Sequence, residues 1–377
     1  MAVADQTDPD RPRLRDRLYA WKSGLLRSRR FQRWAAKTPV AARVARKDGE
    51  ALFDLVAGFL HSQVLMAFVQ LDLAVHLSAR PRSVAALALR TGIDPDRMRV
   101  LCQACAALGL MQRKADGRYG LGRLGAALPG IPGLSQMILH HDVLYRDMAD
   151  PVTFFRDAPE TELAGFWPYV FGGQVDPGTA ATYSTLMSES QALVAEEALR
   201  VLDLKGIETL LDIGGGTGAF LTAVGRAMPG IKLHLFDLPQ VIEPAKARFA
   251  EAGLTARSII TGGSFRTDTL PEGADAISLI RVLYDHSDET VGLLLAKAHA
   301  ALPEGGRIIV SEPMSGGDRP NRAGDAYFGP YCLAMGTGRA RSADEIGRHL
   351  AAAGFADIRN RRTARAFITS VVEARKP

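Results

Sequence analysis

The sequence predicts an α/β chain in two parts: a mostly helical N-terminal region followed by an open, largely parallel sheet of the Rossmann-like kind. Three observations carry this. Short apolar runs recur through the second half, and each stops on glycine, a carboxylate or a cluster of polar groups, as the strands of ligand-binding parallel sheets do. The first run, Thr209 to Phe220, breaks into a glycine-dense turn that opens a helical pattern. A length of 377 residues also exceeds one ordinary domain.

The N-terminal arm, residues 1–47, is set apart by charge. Between Arg11 and Lys47 thirteen Lys/Arg face one acid, Asp16, so this segment is +12 and the rest of the +5 chain is −7. Leu14, Leu18, Trp21, Leu25 and Leu26 recur at near-helical spacing there, followed by Phe31 and Trp34. A basic amphipathic helix of this kind suits an anionic membrane surface, or an arm that packs on a partner subunit. Nucleic acid fits the charge but gains nothing from the rest of the chain and is not expected. The first fifty residues lack the apolar core of a cleavable signal, so a cytoplasmic protein, peripheral at the membrane surface, is expected.

Residues 48–180 read as a helical domain. Asp48 to Leu77 is one long apolar helical pattern interrupted by His61, Gln63, Gln70 and Asp72; these polar groups favour burial in a bundle or dimer over a membrane span. Ser83 to Gly125 reads helix, turn, helix and short hairpin, a winged-helix pattern. Its readings are DNA contact through Arg97 and Arg99, or a dimerisation scaffold. Cys102 and Cys105 form a Cys-x-x-Cys inside the second helix; with no second pair, buried thiols are expected and no metal. Pro129 to Asp176 is irregular and aromatic, suited to an apolar acceptor pocket or lid. His140-His141-Asp142 invites a metal reading, but adjacent histidines on one helix point apart.

Residues 181–377 form the ligand-binding domain, entered through a helix over Ala181–Leu202. Gly214, Gly216 and Gly218 let backbone approach a ligand, although Gly214, Gly216 and Ala219 also satisfy the dinucleotide pattern. The next run, Ile231 to Phe236, closes on Asp237, placed to accept both hydroxyls of an adenosine ribose or to cap a helix opening near Pro239. Ala256–Ile260 leads to Ser264 and Phe265, Ala276–Leu283 to Tyr284-Asp285-His286, and Arg307–Ser311 to Glu312. A final hairpin, Phe355–Arg362 and Ala366–Glu373, suits an added antiparallel strand and disfavours a nicotinamide dehydrogenase.

Four motifs in order, Asp-x-Gly-Gly-Gly-x-Gly (212–218), Phe-Asp-Leu-Pro-Gln-Val-Ile (236–242), Gly-Gly-Ser-Phe (262–265) and Leu-Pro-Glu-Gly-Gly (302–306), resemble the S-adenosylmethionine-dependent O-methyltransferases of the caffeate and acetylserotonin type. Within that family, Arg-Phe-Gln-Arg-Trp-Ala (30–35) and Ala-Leu-Phe-Asp-Leu-Val-Ala-Gly-Phe (51–59) are similar to the bacterial carotenoid enzymes acting on hydroxyneurosporene or demethylspheroidene. The resemblance implies a homodimer, a seven-stranded sheet with an antiparallel last strand, and S-adenosylmethionine (SAM) as cofactor. It also implies a small hydrophobic carotenoid acceptor. Asp212 would meet the methionine ammonium, Asp237 and Leu238 the ribose side, Ser264 and Phe265 the adenine and Arg281 its edge. Met187 and Gln191 would touch the cofactor from the helix before the sheet.

The catalytic position departs from that family. Where the plant enzymes carry His-Asp-Trp this chain has Tyr284-Asp285-His286, and a second family glutamate is Ala340. A tyrosine of pKa about 10 is a poor base at neutral pH. Tyr284 is therefore expected to position the acceptor hydroxyl, His286 to collect the proton and Glu312 to orient the site; mere lining of the pocket is the bland reading. Two further readings stay open, a bacteriochlorophyllide C-methyltransferase of the same fold and a winged-helix regulator that senses SAM.

Overall fold

The computed structural model describes residues 14–157, 160–166 and 191–377. The basic arm forms α1 (Leu14–Arg27) and α2 (Arg29–Ala35), separated at Ser28, whose hydroxyl caps α2 by accepting the Phe31 N–H. No residue of α1 is buried. The long apolar pattern becomes α3 (Pro39–Gln70), which starts earlier than Asp48 because proline is welcome in a first helical turn. It also ends earlier than Leu77. Asp72 takes a left-handed φ of 49°, and the chain restarts as α4 (Leu73–Ser78).

By length and composition α3 could cross a membrane, with 32 residues and a mean hydropathy of 1.7 over its most apolar window. Its last turns instead carry Met66 and Phe68 into a core. The earlier turns are not buried within one chain: Leu52, Leu55, Val56 and Phe59 all stand more than half exposed. The expected burial of this helix is met inside the protomer only at its C-terminal end.

The helix–turn–helix follows as α5 (Val84–Thr91) and α6 (Pro95–Ala107). Ser83 caps the first and Asp94 the second, while Gly92 ends α5 at φ 70°. The wing is β1 (Met111–Arg113) paired antiparallel with β2 (Tyr119–Leu121), and Arg82 adds a bridge to Tyr119. Cys102 and Cys105 are fully buried against Phe68, Leu87 and Met98, and burial pushes their thiols up to about 11 and about 12. Then come α7 (Arg123–Ala127), α8 (Leu134–Asp147), α9 (Pro151–Asp157) and a helix over 191–201 (α10).

The sheet contains β3 (Thr209–Ile213), β4 (Lys232–Asp237), β5 (Ser258–Gly262), β6 (Ala276–Ile280), β7 (Arg307–Glu312), β8 (Ala356–Arg361) and β9 (Ser370–Arg375). Their order is β5-β4-β3-β6-β7-β9-β8; β3 to β7 are parallel and β9 runs antiparallel between β7 and β8. Alternate residues serve two cores. Leu211, Ile277, Val310 and Val372 pack with α13 (Asp288–Ala301) and α15 (Ala343–Ala352). Leu210, Leu233, Ile309 and Val371 pack with α10, α11 (Ala219–Ala227) and α12 (Glu243–Glu251). The fully buried Glu197 of α10 accepts from the backbone N–H and guanidinium of Arg365, both at 2.8 Å, which moors the turn before β9.

Strand ends moved where the backbone turned. Residues Thr255–Arg257 form a 3₁₀ turn, so β5 begins at Ser258. Arg281 adopts φ 59°, so β6 ends at Ile280 and Leu283–Asp285 form another 3₁₀ turn. The last strand starts at Ser370 rather than Ala366, because residues 364–368 form a turn.

Candidate active site

The glycine loop joins β3 to α11 at the C-terminal edge of the sheet. Gly214, Gly216 and Gly218 have φ of 70°, 56° and 73°, a region costly to residues with a Cβ. Space gives them different tasks. A Cβ on Gly214 would lie 2.8 Å from Val282 Cγ2, and one on Gly218 2.8 Å from Phe249 Cε1. Both glycines therefore serve packing of the protein on itself as well. Only Gly216 of the three has open space beside it.

Asp237 closes the loop from the next strand. One carboxylate oxygen accepts the Gly216 N–H and the other the Leu238 N–H, each at 2.7 Å. Burial raises its pKa and those two N–H groups lower it. The capping role falls away: α12 starts at Glu243, and Asp237 is not its cap. Asp212 lies at the end of β3 with one oxygen accepting from Ser278 Oγ at 2.6 Å. Its other oxygen is buried beneath Gly215 and has no partner among the described residues. Burial pushes this carboxyl up to about 7. A buried orphan of this kind is a cost that a cationic group would remove. Gln191, at the start of α10, likewise has a buried Oε1 without a partner among the described residues; Met187 lies outside them.

At the neighbouring strand end, the loop after Gly262 is held by Lys297, whose Nζ donates to the carbonyls of Phe265 (2.7 Å), Arg266 (3.2 Å) and Asp268 (2.8 Å). Ser264 caps locally, its N–H donating to Asp268 and its hydroxyl accepting from the Arg266 N–H. Phe265 stands edge-on to His286, ring centroids 5.2 Å apart. Adenine-side and catalytic residues of the sequence reading are thus neighbours.

The turn after β6 holds residues expected to be catalytic. Tyr284 is 1% exposed, and burial holds its hydroxyl well above an ordinary phenol. The left-handed backbone of Arg281 brings its guanidinium back to that hydroxyl, with Nη2 donating at 3.2 Å and Cζ 5.7 Å from the ring centroid. Strain of this sort is retained where the surroundings over-determine it. Asp285 is fully enclosed beside Arg281 and Glu312, and burial raises its pKa well above a carboxylate's. His286 departs from the expected proton collector. Its Nδ1 faces the Arg266 guanidinium at 3.3 Å and accepts from it, which leaves the ring proton on Nε2. Burial, Arg266 and Arg341 together push its pKa down to about 4.

The turn itself is suspended between two buried charges. Glu312, at the end of β7, receives the N–H groups of Val282 (3.2 Å), Leu283 and Tyr284 (3.1 Å) on one oxygen. The side chain therefore orients a backbone turn, where a role orienting the base was expected. Burial pushes Glu312 up to about 7, against those N–H groups and the nearby Arg341. From the other side Arg341, 1% exposed, donates to the carbonyls of Leu283 and His286, both at 2.8 Å, and to Asp288. Thr337 donates to the Asp285 carbonyl at 2.9 Å, and Gly338 approaches so closely that a Cβ would lie 2.0 Å from the Tyr284 carbonyl. Arg341, Thr337 and Gly338 escaped the sequence reading because their contacts to this turn are with main-chain atoms.

Beside Tyr284 lies an apolar cluster of Val143, Phe154, Leu163, Tyr331, Cys332 and Met335. Of the described aromatics expected to wall a pocket only Phe154 joins it; Tyr145 packs against the N-terminal core, Phe155 is exposed, and Trp167, Tyr169 and Phe171 fall outside the described residues. His140 and His141 do point apart, to different phenols: Tyr331 at 3.1 Å and Tyr327 at 2.6 Å. Among the described residues no group of His, Cys, Asp and Glu could hold a metal ion.

Residues 145–356 match the O-methyltransferase domain family, and residues 53–129 match the O-methyltransferase dimerisation domain. The chain is 55% identical over 352 residues to demethylspheroidene O-methyltransferase of Cereibacter sphaeroides, covering 93% of both proteins. It belongs to this O-methyltransferase family. The Rhodobacter capsulatus enzyme of the same name is 49% identical over 93% of this chain and 88% of its own length. Mouse acetylserotonin O-methyltransferase is 30% identical over 84% of this chain and 86% of its own. Human N-acetylserotonin methyltransferase, solved in complex with SAM, superposes with a TM-score of 0.75 at 25% identity, over 87% of this chain and 97% of that one.

The clamp makes a stability prediction. Replacing Arg341 by Met strands the buried carbonyl of His286, while that of Leu283 keeps the His286 N–H at 3.1 Å, and leaves Glu312 without its nearby cation, a loss of about 3 kcal/mol. Denaturant unfolding of wild type and Arg341→Met in parallel measures it, and a difference below about 1 kcal/mol would mean that water replaces the guanidinium.

Proposed function

We propose that this chain methylates the hydroxyl of an acyclic 1-hydroxycarotenoid with SAM as donor, as a homodimer, at the cytoplasmic face of the membrane. The observation that carries the reading is 55% identity to a demethylspheroidene O-methyltransferase along 93% of both chains. The site supports it with a cofactor edge, an apolar cluster and a phenol between them.

The residues present fit the cofactor. Asp212 offers an unpartnered buried oxygen to an ammonium, Gly216 leaves backbone open, and Asp237 keeps lone pairs for ribose hydroxyls on both oxygens. Leu238 and Phe265 would flank the ribose and the adenine, with Ser264 and Arg281 at the ring edge and Gln191 reaching in from α10. SAM, when bound, supplies a sulfonium methyl open to in-line attack. The chain's contribution is alignment and exclusion of water. Tyr284, neutral as a phenol, hydrogen-bonds the acceptor oxygen while Arg281 fixes the phenol, and Glu312 and Arg341 hold the turn that presents it.

The homodimer accounts for the exposed face of α3. Leu52, Leu55, Val56 and Phe59 form a stripe that isolated monomers rarely leave in water, and residues 53–129 match a dimerisation domain. On α1, Leu14, Leu18, Trp21 and Leu25 share one exposed side, with Arg15, Arg17, Lys22 and Arg27 around them. That pattern supports peripheral contact with anionic lipid, where a polyene acceptor would also reside.

Three outcomes are expected. Incubation with isotopically labelled SAM and a hydroxycarotenoid gives a product heavier by one labelled methyl on oxygen, and Tyr284→Phe lowers turnover about tenfold with cofactor affinity unchanged. A label carried instead by a ring carbon of a chlorophyll precursor replaces the reading. In calorimetry, SAM affinity falls as pH drops from about 8 to about 6, because the ammonium needs the ionised form of a carboxyl whose free value is about 7. Proton release near neutral pH, read from buffers of different ionisation heat, is the matching signal; its absence would remove Asp212 from the site. The chain floats with anionic vesicles at low salt and Trp21→Ala weakens this. No flotation assigns α1 to a protein partner.

A further inference from the structure

O-methylation releases one proton, and the turn after β6 offers no acceptor from which it could reach solvent: Asp285 Oδ1 has no partner among the described residues but is fully enclosed. Among its residues Tyr284 is a neutral phenol, Asp285 a buried carboxyl and His286 a ring whose accepting nitrogen already faces Arg266. Across the apolar cluster, α8 presents two histidines, each bonded to a phenol. His140 Nε2 lies 3.1 Å from the Tyr331 hydroxyl, and His141 Nε2 lies 2.6 Å from that of Tyr327. The tyrosines are one turn apart where a π-helical segment, Gly324–Phe328, runs into α14 (Gly329–Ala334), and their rings stack at 6.0 Å and 20°. Such π turns gather at functional sites. Tyr331 shares a packed cluster with Tyr284, and its hydroxyl feels the charges of Tyr284 and Asp285.

We propose that α8 supplies the proton acceptor, His140 taking the acceptor's proton through the hydroxyl of Tyr331. This rests on the O-methylation reading. The acceptor oxygen forms its new bond to the methyl carbon with a lone pair as the carbon–sulfur bond breaks, and that bonding pair leaves on a neutral thioether sulfur. The oxygen's proton moves to the Tyr331 oxygen while the phenol's own proton moves to Nε2 of His140. The O–H bonding pair stays on the ether oxygen, and His140 ends as imidazolium until solvent takes the proton. An alcohol oxygen being methylated is far more acidic than an imidazolium, so a weak base suffices. Burial, with His141 next to it, holds the ring of His140 down to about 4, so it stands unprotonated and ready at neutral pH. His141 and Tyr327 form the less suited pair, since Tyr327 is not part of the packed cluster that joins Tyr331 to Tyr284 and is only half-buried.

The test compares wild type, Tyr331→Phe, His140→Gln and the double variant, all full-length, with a hydroxycarotenoid and SAM. Gln keeps a hydrogen-bonding side chain but cannot take the proton. Each single change should lower kcat about a hundredfold with KM within about twofold, and the double variant should be no slower than the slower single one. Cofactor affinity by calorimetry stays at the wild-type value if the variants fold. Nitrogen NMR of the histidine rings gives a readout apart from activity: His140 should carry its proton on Nδ1, and Tyr331→Phe should shift its Nε2 resonance. Wild-type kcat in His140→Gln, or a proton resident on Nε2 of His140 in the wild type, overturns the proposal. A wild type that methylates no hydroxyl acceptor instead overturns the O-methylation reading, and this inference falls with it.

Discussion

The opposed pair Glu312 and Arg341 is the constraint on which this site depends. Five backbone groups of residues 282–286 end on these two side chains: three N–H groups on the carboxylate and two carbonyls on the guanidinium. Of these groups only the Leu283 carbonyl finds a second partner inside the turn, the His286 N–H, and burial forbids leaving the others bare. Buried charges are expensive, and Glu312 carries part of that cost in a second oxygen without a partner among the described residues. Glu312 ends β7 and Arg341 lies just before α15, whose capping box of Ser342 and Glu345 sets its start. The phenol of Tyr284 inherits its position from this arrangement.

Much of the fold was legible because the sheet writes itself in apolar runs closed by polar residues. Asp237 and Glu312 each end a strand and Asp212 lies one residue before such an end, so all three sit at the C-terminal edge of the sheet where that punctuation put them. What escaped had a backbone cause. Arg281 in a left-handed conformation cut β6 short, and Asp72 in the same conformation divided one predicted helix into two. Neither is a residue type that announces positive φ as glycine does. The roles of Arg341 and Thr337 were hidden for another reason: a side chain that bonds main-chain carbonyls leaves no complementary partner to find in the sequence.

The glycines and His286 show what a position alone leaves unsaid. Three glycines were expected to face a ligand, and two of them also make room for Val282 and Phe249, which fill the space where a Cβ would stand. His286 sits in the site as expected, but an arginine on its accepting nitrogen and a second one nearby make it a donor. Residue type and position were readable from the chain. Protonation was not, since it depends on neighbours from loops distant in sequence.

The contact between Gly214 and Val282 has one more consequence. Val282 is the first residue of the suspended turn, and it rests in the hollow that the missing Cβ of Gly214 provides. Glycine loop and suspended turn are therefore cut to each other like adjoining stones. A chimera that borrowed the glycine loop from one relative and the end of β6 from another would have to match both faces of this joint.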